Sequence, residues 1–296
     1  MRAWRDNARV MEGSTSRWPA ISGERSSRRG RWKLTLLGVC ALLLALGVSD
    51  ALALHYHRAG RRTRDYPSTK AFAAAKRFLD TRAGSTSFAV VDRQGHLRGV
   101  RLHEHFQTAS VVKVMMLVAY LQMLHAKHRG LDAASMSLLY PMIHISDNEA
   151  ASAVLATVGE RALARVARES HMTDYAPGVG WWAYTQTSAA DQARLFFALG
   201  RLIPRQLYGY ARWLLANIEP SQSWGIPPVA RPRWQVFFKT GALPSEGLFN
   251  EAARLERRDV VFSIAVLTNS DPSMGYGEQT IQGVAAALLA SSPPSR

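Results

Sequence analysis

The sequence predicts an α+β domain in which an antiparallel β-sheet is flanked by helices and carries an inserted all-helical lobe. Three observations predict this class. A hairpin signal lies near residue 90, a long block with helical apolar spacing follows it, and strand-like segments return only after residue 230, before a closing helix. Strands that are divided into two groups by a run of helices are typical of α+β domains rather than of alternating α/β folds.

The elements follow in order along the chain. Ser68 or Thr69 precedes apolar residues at helical spacing and is expected to cap the first helix. Ser87–Asp92 and His96–Leu102 flank an Arg-Gln-Gly turn and form the hairpin. Ser110–Leu124 is apolar on nearly every face, as expected of a buried helix. Further helices are expected at Glu149–Val158, Glu160–Arg168, Ala189–Leu202, Leu207–Ile218 and Glu278–Leu289, and later strands at Trp234–Lys239 and Asp259–Thr268.

Composition is that of a globular protein with a basic excess. The 296 residues are 47% hydrophobic and 20% charged, and the formal net charge is +15. Residues 1–33 contain nine Lys or Arg and three Asp or Glu, a local net charge of +6. The pattern has no basic groove with interleaved aromatic residues, so we predict no nucleic-acid partner. A basic surface favours anionic lipids or acidic wall polymers instead.

The N-terminal region divides into segments by composition. Residues 1–33 form a basic tail, residues 34–54 an apolar stretch, and residues 55–68 a polar, basic linker to a domain at residues 69–291. The basic flank, the apolar stretch and Ala51-Leu52-Ala53 fit a signal peptide with a small-residue cleavage site. The same stretch is long enough, at about 20 residues, to remain as a membrane anchor. Both alternatives stay open, and both predict an extracytoplasmic domain, either secreted or periplasmic or held at the membrane.

Cysteine and histidine usage argues against a metal centre. Cys40 is the only cysteine and lies inside the apolar stretch, so the domain is expected to hold neither a disulfide nor a Cys-ligated metal. The His55-x-His57 and His103-x-His105 pairs lack the His-Glu-x-x-His spacing of zinc hydrolases. A Gly-x-Ser-x-Gly elbow, which Ser–His–Asp hydrolases of the α/β class require, does not occur.

Ser110-Val111-Val112-Lys113 is the first segment that carries chemistry. On a helix the Lys113 amine lies beside the Ser110 hydroxyl. Lys113 is the only Asp, Glu, Lys or Arg between Glu104 and Lys127, and its surroundings are apolar. Burial lowers the pKa of an ammonium group, which makes a lysine a general base for a serine nucleophile. The alternative is a lysine that reaches solvent from the helix start or pairs with a distant carboxylate.

Ser146-Asp147-Asn148 precedes a predicted helix. Ser146 and Glu149 have the spacing of a capping box, which gives the segment a purely structural interpretation. At a helix entrance that faces a cleft, the Ser146 hydroxyl and the Asn148 amide are also placed to relay a proton and to hold a substrate amide. Both interpretations stay open.

Lys239-Thr240-Gly241 ends the strand predicted at Trp234–Lys239. An ammonium group and a hydroxyl group on an edge strand can bind a substrate carboxylate. A glycine after them lets a substrate backbone approach the strand. The alternative is a lysine at a strand end followed by a glycine turn.

Together and in this order, the three segments resemble a known family. Ser-x-x-Lys, Ser-Asp-Asn and Lys-Thr-Gly are the motifs of class A β-lactamases and penicillin-binding proteins. The resemblance runs from about Ser68 to Ala290. It implies a penicillin-recognising serine hydrolase that forms an acyl-enzyme and cleaves a β-lactam or a D-alanyl peptide without metal or cofactor. We expect a monomer whose partners are such a small substrate or cell-wall peptide, and the membrane if the N-terminal segment is not cleaved.

The resemblance also implies a role for each residue of the three motifs. Backbone N–H groups that form an oxyanion hole each lower the barrier by about 3 kcal/mol when aligned. The implied assignments are Ser110 as nucleophile, Lys113 as its base, Ser146 as the shuttle of a proton to the leaving nitrogen with the assistance of Lys239, the N–H groups of Ser110 and Ala242 as the oxyanion hole, and Asn148, Thr240 and Gly241 as substrate-binding residues.

The sequence departs from class A β-lactamases at the deacylation step. In those enzymes a loop after the second motif carries a Glu that activates the deacylating water. Residues 175–188 contain no Asp or Glu, and the nearest candidates are Glu169 and Asp174. Trp181 and Trp182 lie in this segment, and such a pair more often packs in a core than lines a substrate subsite. We therefore expect acylation to be faster than deacylation.

A non-catalytic protein is the competing class. A membrane-tethered, penicillin-binding-like domain would recognise cell-wall peptide without turnover, because a fold can be retained after its chemistry is lost. Covalent tagging by a labelled penicillin separates the two classes.

Overall fold

The computed structural model describes residues 67–258 and 260–290. The predicted basic tail, the apolar stretch and nearly all of the linker lie outside the described residues, as does the choice between signal peptide and anchor. The first described helix, α1 (Thr69–Leu79), begins after Ser68. The Ser68 hydroxyl accepts a hydrogen bond from the Ala71 N–H at 3.2 Å, which confirms the predicted cap.

An antiparallel sheet forms the centre of the domain. Its five strands lie in the order β2-β1-β7-β6-β5, so that β5 is an edge strand, as predicted for the Lys-Thr-Gly segment. The predicted hairpin is confirmed as β1 paired with β2. The strands are β1 (Ser85–Val91), β2 (Leu97–Val100), β5 (Gln235–Leu243), β6 (Leu248–Arg257) and β7 (Val260–Asn269).

Helices cover the sheet, and most of them belong to one inserted lobe. The lobe follows the short strand β3 (Phe106–Gln107), which pairs with β4 (Gln186–Thr187). Strand β1 is almost continuously buried because helices pack on both sheet faces. This arrangement confirms the predicted α+β class with an antiparallel sheet. The helices after α1 are α2 (Lys113–Ala126), α3 (Ala133–His144), α4 (Asn148–Val158), α5 (Glu160–Glu169), α6 (Ala189–Leu202), α7 (Arg205–Ala216), α8 (Ile226–Ala230) and α9 (Met274–Leu289).

Strand β6 and helix α3 are the two longest elements that were not predicted from the sequence. Strand β6 has the composition of a helix, with Leu, Glu, Ala and Arg at most positions. It lies between β7 and β5 and pairs with both, so strand pairing outweighs local propensity. Helix α3 contains Pro141 near its C-terminal end, which hid its helical pattern.

Helix α2 is the apolar helix predicted around the first motif. Among the described residues, Ala109–Ala126 is long and apolar enough to cross a membrane, but 72% of this segment is buried inside the domain. It is therefore a core helix of the lobe, and the buried position predicted for Lys113 is confirmed.

Candidate active site

Ser110 lies in a tight turn between β3 and α2. The turn is the 3₁₀ segment Ala109–Val112, and Ala109 has a φ of +48°, a left-handed conformation that costs free energy for a residue other than glycine. Buried Asn250 on β6 ties the end of β3, just before the turn, to the sheet, because its amide donates to the Gln107 carbonyl at 2.7 Å. The sheet therefore holds the partly exposed Ser110 at a fixed place on its edge.

Gly241 on β5 packs directly against the Ser110 turn. A Cβ atom built on Gly241 would lie 2.8 Å from the backbone nitrogen of Ser110, 2.8 Å from the Thr108 carbonyl oxygen and 2.9 Å from the Val111 nitrogen. The sequence predicted that Gly241 makes room for substrate. The structure adds a second reason for this glycine, since the closest atoms to a Cβ built on Gly241 belong to the backbone of the Ser110 turn.

The same contact places the two predicted oxyanion donors on neighbouring segments. The Ser110 N–H lies beside Gly241, and Ala242 is the next residue of β5. The two segments can approach this closely only because residue 241 has no side chain.

Gly241→Ala is expected to lower the free energy of unfolding by about 1–3 kcal/mol, because the added methyl group meets backbone atoms that cannot rotate away. Gly209→Ala is the matched control, since Gly209 lies inside α7 with no atom within 4 Å of its built Cβ. That control is expected to raise the stability by about 0.5–1 kcal/mol. Urea unfolding of both variants measures the two values, and equal effects at the two sites would contradict the packing described.

Lys113 joins the first two motifs. Its side chain is fully buried, and its amine donates to the Ser146 carbonyl oxygen, to Ser146 Oγ at 3.1 Å and to Asn148 Oδ1 at 2.8 Å. Burial lowers the pKa of Lys113 to about 7, and the nearby Asp147 carboxylate offsets part of this shift. The amine can therefore lose its proton near neutral pH, which a general base must do. Among the described residues, Ser110 Oγ itself forms no hydrogen bond.

The capping interpretation of Ser146 is wrong. The cap of α4 is Asp147, whose carboxylate accepts a hydrogen bond from the Ala150 N–H at 2.7 Å. Ser146 instead has a φ of +59°, and this turn directs its hydroxyl to Lys113. Asp147 thus has the structural role, while Ser146 and Asn148 face the lysine.

Lys239 and Thr240 are buried on β5. The Lys239 amine donates to the Thr240 carbonyl oxygen at 3.1 Å and to Gln222 Oε1 at 3.4 Å. Burial, and to a smaller extent the positive charge of Lys113, lower the pKa of Lys239 to about 7, while Glu251 and Glu219 act in the opposite direction. The three motifs therefore meet around two neighbouring lysines.

Gln222 was not identified from the sequence. It lies in the 3₁₀ turn Pro220–Gln222, and the Thr240 hydroxyl donates to its carbonyl oxygen at 3.5 Å. Gln222 is a polar residue in a turn between two helices and belongs to no sequence motif. Its contacts with Lys239 and Thr240 are therefore visible only in the structure.

Trp182 faces Lys113 from the loop between α5 and α6. Its ring centroid lies 4.9 Å from the Lys113 amine, and its indole N–H donates to Ser152 Oγ at 3.1 Å. Trp182 is 6% exposed, as expected of a core residue, whereas Trp181 is 37% exposed. Trp182 is therefore a buried residue in contact with Lys113, whereas Trp181 lies at the protein surface.

The two carboxylates that sequence reasoning named for this loop lie elsewhere. Glu169 accepts a hydrogen bond at 2.8 Å from Gln122, nine residues beyond Lys113 and thus about 13 Å along α2. Asp174 binds the Ser188 hydroxyl at 2.6 Å and His103 Nδ1 at 2.7 Å. These contacts anchor the loop and the start of α6. Nowhere in residues 67–258 or 260–290 do three His, Cys, Asp or Glu side chains group as metal ligands would.

Comparisons with known proteins agree with this geometry. A model of the beta-lactamase enzyme family matches residues 135–291, just over half of the chain. No curated protein matches the sequence. Solved structures share the fold. They include a beta-lactamase from Sphaerobacter thermophilus (21% identity, TM-score 0.64, covering 76% of this chain and 99% of that one). A class A beta-lactamase from Bacteroides cellulosilyticus is also similar (15% identity, TM-score 0.67, covering 77% and 98%). The chain belongs to the beta-lactamase enzyme family.

Proposed function

We propose that this chain is an extracytoplasmic serine hydrolase that forms an acyl-enzyme on Ser110 and cleaves a cyclic or peptide amide, a β-lactam or a D-alanyl peptide. The observation that carries the proposal is the set of contacts around Lys113. A buried lysine with a pKa of about 7, bonded to Ser146 and Asn148 and adjacent to the Ser110 turn, is suited to proton transfer at a serine nucleophile.

Acylation uses residues of the three motifs. Neutral Lys113 accepts the proton of Ser110 Oγ as this oxygen bonds to the substrate carbonyl carbon. The N–H groups of Ser110 and Ala242 stabilise the negative charge on the carbonyl oxygen. The carbon–nitrogen bond then breaks, and the leaving nitrogen takes a proton from the Ser146 hydroxyl. Lys113 replaces that proton across the 3.1 Å hydrogen bond to Ser146 Oγ, which returns the lysine to its neutral form.

The direct test is covalent. The full-length protein is incubated with labelled benzylpenicillin or with a fluorophosphonate, and its intact mass and the labelled peptide are then determined. A single adduct on Ser110 is the expected result. A non-catalytic, membrane-tethered domain that only recognises cell-wall peptide would remain unlabelled by both reagents.

The rate of phosphonate labelling is expected to rise by about tenfold between pH 6 and pH 8. The reason is that Lys113 has a pKa lowered to about 7 by burial, and only its deprotonated form accepts the Ser110 proton. The fluorophosphonate carries no carboxylate, so its binding does not require the positive charge of Lys239. Initial labelling rates in buffers of constant ionic strength measure the profile. A rate that stays flat, or falls, across this range would exclude Lys113 as the base.

The extracytoplasmic location rests on the N-terminal segment. If the segment is a signal peptide cleaved after Ala53, the exported protein begins at Leu54. N-terminal sequencing of the exported protein decides between cleavage and anchoring, because an anchored chain keeps the segment and stays in the membrane fraction. Recovery of an uncleaved chain from the cytosol would contradict both forms.

A further inference from the structure

A cavity of about 490 Å³ at the start of strand β5 is surrounded by basic side chains. The charged groups that line it are those of Arg231, Arg233, Arg257, Arg258 and Glu256. The Glu256 carboxylate is already bonded to two other arginines, Arg212 and Arg254. Among the described residues, no acidic side chain forms an ion pair with the four arginines of the cavity. Even when Asp259, the next residue in the sequence, is counted, the cavity has a surplus of positive charge.

The arginine cavity lies at the end of the sheet that is remote from the Ser110 turn. Because neighbouring strands are antiparallel, the start of β5, the β6–β7 turn and the β1–β2 turn all lie at this end. Arg93, in the β1–β2 turn, adds a further exposed positive charge. The Ser110 turn packs on Gly241, six residues after Gln235 and thus about 20 Å along β5. A ligand at the arginine cavity therefore leaves Ser110 accessible.

The chain enters the described domain at the same end. Helices α1 and α9 are antiparallel neighbours, because Arg82, just after α1, donates to the carbonyl oxygen of Tyr276 near the start of α9 at 3.0 Å. The start of α1 therefore lies beside the end of α9. Arg233 of the cavity donates to the carbonyl oxygen of the last residue of α9 at 2.6 Å. The first described residue, Pro67, is held there by Arg98 of β2, whose guanidinium group donates to its carbonyl oxygen at 2.8 Å.

The segment that precedes Pro67 connects this end of the domain to the apolar stretch. The linker, residues 55–68, contains four Arg and one Asp and is itself basic. From residue 55 to Pro67 the chain extends by at most about 40 Å. If the apolar stretch stays in the membrane, the arginine cavity belongs to the end of the domain that is tethered to the bilayer.

We propose that this basic end, formed by Lys70, Arg93 and the four arginines of the cavity, is a membrane-binding surface for the phosphate headgroups of anionic phospholipids. Guanidinium groups present paired N–H donors that match phosphate oxygens. Basic clusters next to a membrane segment are attracted to the negative surface of a bilayer. Binding at this end does not require acylation of Ser110, and it directs the opposite end of β5, with the Ser110 turn, away from the lipid.

Hydrogen exchange of the full-length protein in vesicles tests the surface. The protein is incorporated into phosphatidylcholine vesicles that either contain or lack phosphatidylglycerol, so that the apolar stretch is the same in both. Mass spectrometry then gives the exchange rates of peptides that cover residues 231–235 and 255–258. We expect exchange there to slow about tenfold in the anionic vesicles, since each arginine at such a surface favours the docked state by about fivefold. A peptide of α4, residues 148–158, should exchange equally in both.

A matched pair of variants separates this surface from net charge. Arg257→Gln with Arg258→Gln removes two charges from the cavity and is expected to reduce the slowing to below about twofold. Arg161→Gln with Arg165→Gln removes the same charge from the exposed face of α5 and should retain the slowing of the wild type. The thermal unfolding midpoint shows that each variant is folded. At about 1 M salt, where the screening length is about 3 Å, the wild type should lose the slowing without any substitution.

Three results would overturn the inference. The first is equal exchange of the wild type in the two kinds of vesicle, and the second is an equal loss of slowing in the two variants. The third is slowing by inorganic polyphosphate in vesicles without phosphatidylglycerol when the anionic vesicles cause none, which would assign the surface to an acidic polymer. Fluorophosphonate labelling of Ser110 is unaffected by any of these results, so the proposed hydrolase activity is tested separately.

Discussion

Ser110→Ala is expected to abolish covalent labelling by every β-lactam and phosphonate, to below the detection limit of intact-mass measurement. The substitution removes the one oxygen that forms the acyl bond. It should leave the fold unchanged, because the Ser110 side chain is partly exposed and its hydroxyl has no hydrogen-bond partner among the described residues. The thermal unfolding midpoint is the control and should match that of the wild type. An adduct that survives this substitution would exclude the mechanism.

Lys113→Met tests the same acylation step by removing the proposed general base. Methionine keeps most of the volume of the buried side chain and removes the amine, so acylation is expected to fall by about 10²–10⁴-fold, the usual contribution of a general base. Lys113→Ala would also suppress acylation but leaves a cavity in an apolar helix, which adds a stability loss. Near-wild-type labelling of Lys113→Met would mean that another group accepts the Ser110 proton.

The general architecture could be predicted because it depends on local patterns. The hairpin, the buried helix α2 and the three motifs each follow from spacing within a few residues. The apolar surroundings of Lys113 in the sequence predicted that its side chain is buried, and the structure confirms this. Spacing could not identify the partner of Ser146, because Ser146 and Asp147 are both good caps and only the positive φ of Ser146 decides between them.

The parts that were missed depend on contacts between distant segments. The composition of strand β6 favours a helix, and the segment forms a strand because β5 and β7 pair with it on its two sides. Gly241 was expected to face substrate, and its lack of a Cβ also makes room for the Ser110 turn, more than 130 residues earlier in the chain. Gln222 belongs to no motif, although it contacts both the helical lobe and Lys239. A pattern within a few residues cannot predict contacts between segments that are distant in the sequence.

The penicilloyl adduct on Ser110 is expected to be long-lived. Hydrolysis of the acyl-enzyme needs a water that is positioned and deprotonated beside the ester carbonyl, a general-base contribution of about 10²–10⁴-fold. The loop that carries a Glu in class A β-lactamases here presents the Trp182 ring to Lys113 at 4.9 Å. An indole ring has no basic group, and its N–H already donates to Ser152. We therefore propose Lys113 or Ser146 as the group that activates water.

The experiment separates deacylation from acylation. The full-length protein is labelled with benzylpenicillin to completion, free drug is removed, and the decay of the adduct mass is followed over time. We expect a decay slower than the acylation that precedes it, and a chromogenic cephalosporin should accordingly show an initial burst followed by a slow steady state. Glu169→Gln and Asp174→Asn are the matched controls. They should leave the decay rate unchanged, because Gln122 holds the first carboxylate and Ser188 and His103 hold the second.

Rapid steady-state turnover without a trapped adduct would contradict this expectation. If that turnover then slowed in Glu169→Gln or Asp174→Asn, the loop would have to rearrange during the reaction and bring a carboxylate to the ester. For Asp174 this requires loss of its bonds to Ser188 and His103, and the start of α6 would lose the hydroxyl contact that ties it to the loop. Slow decay in all three proteins is the outcome that the fixed positions of these carboxylates predict.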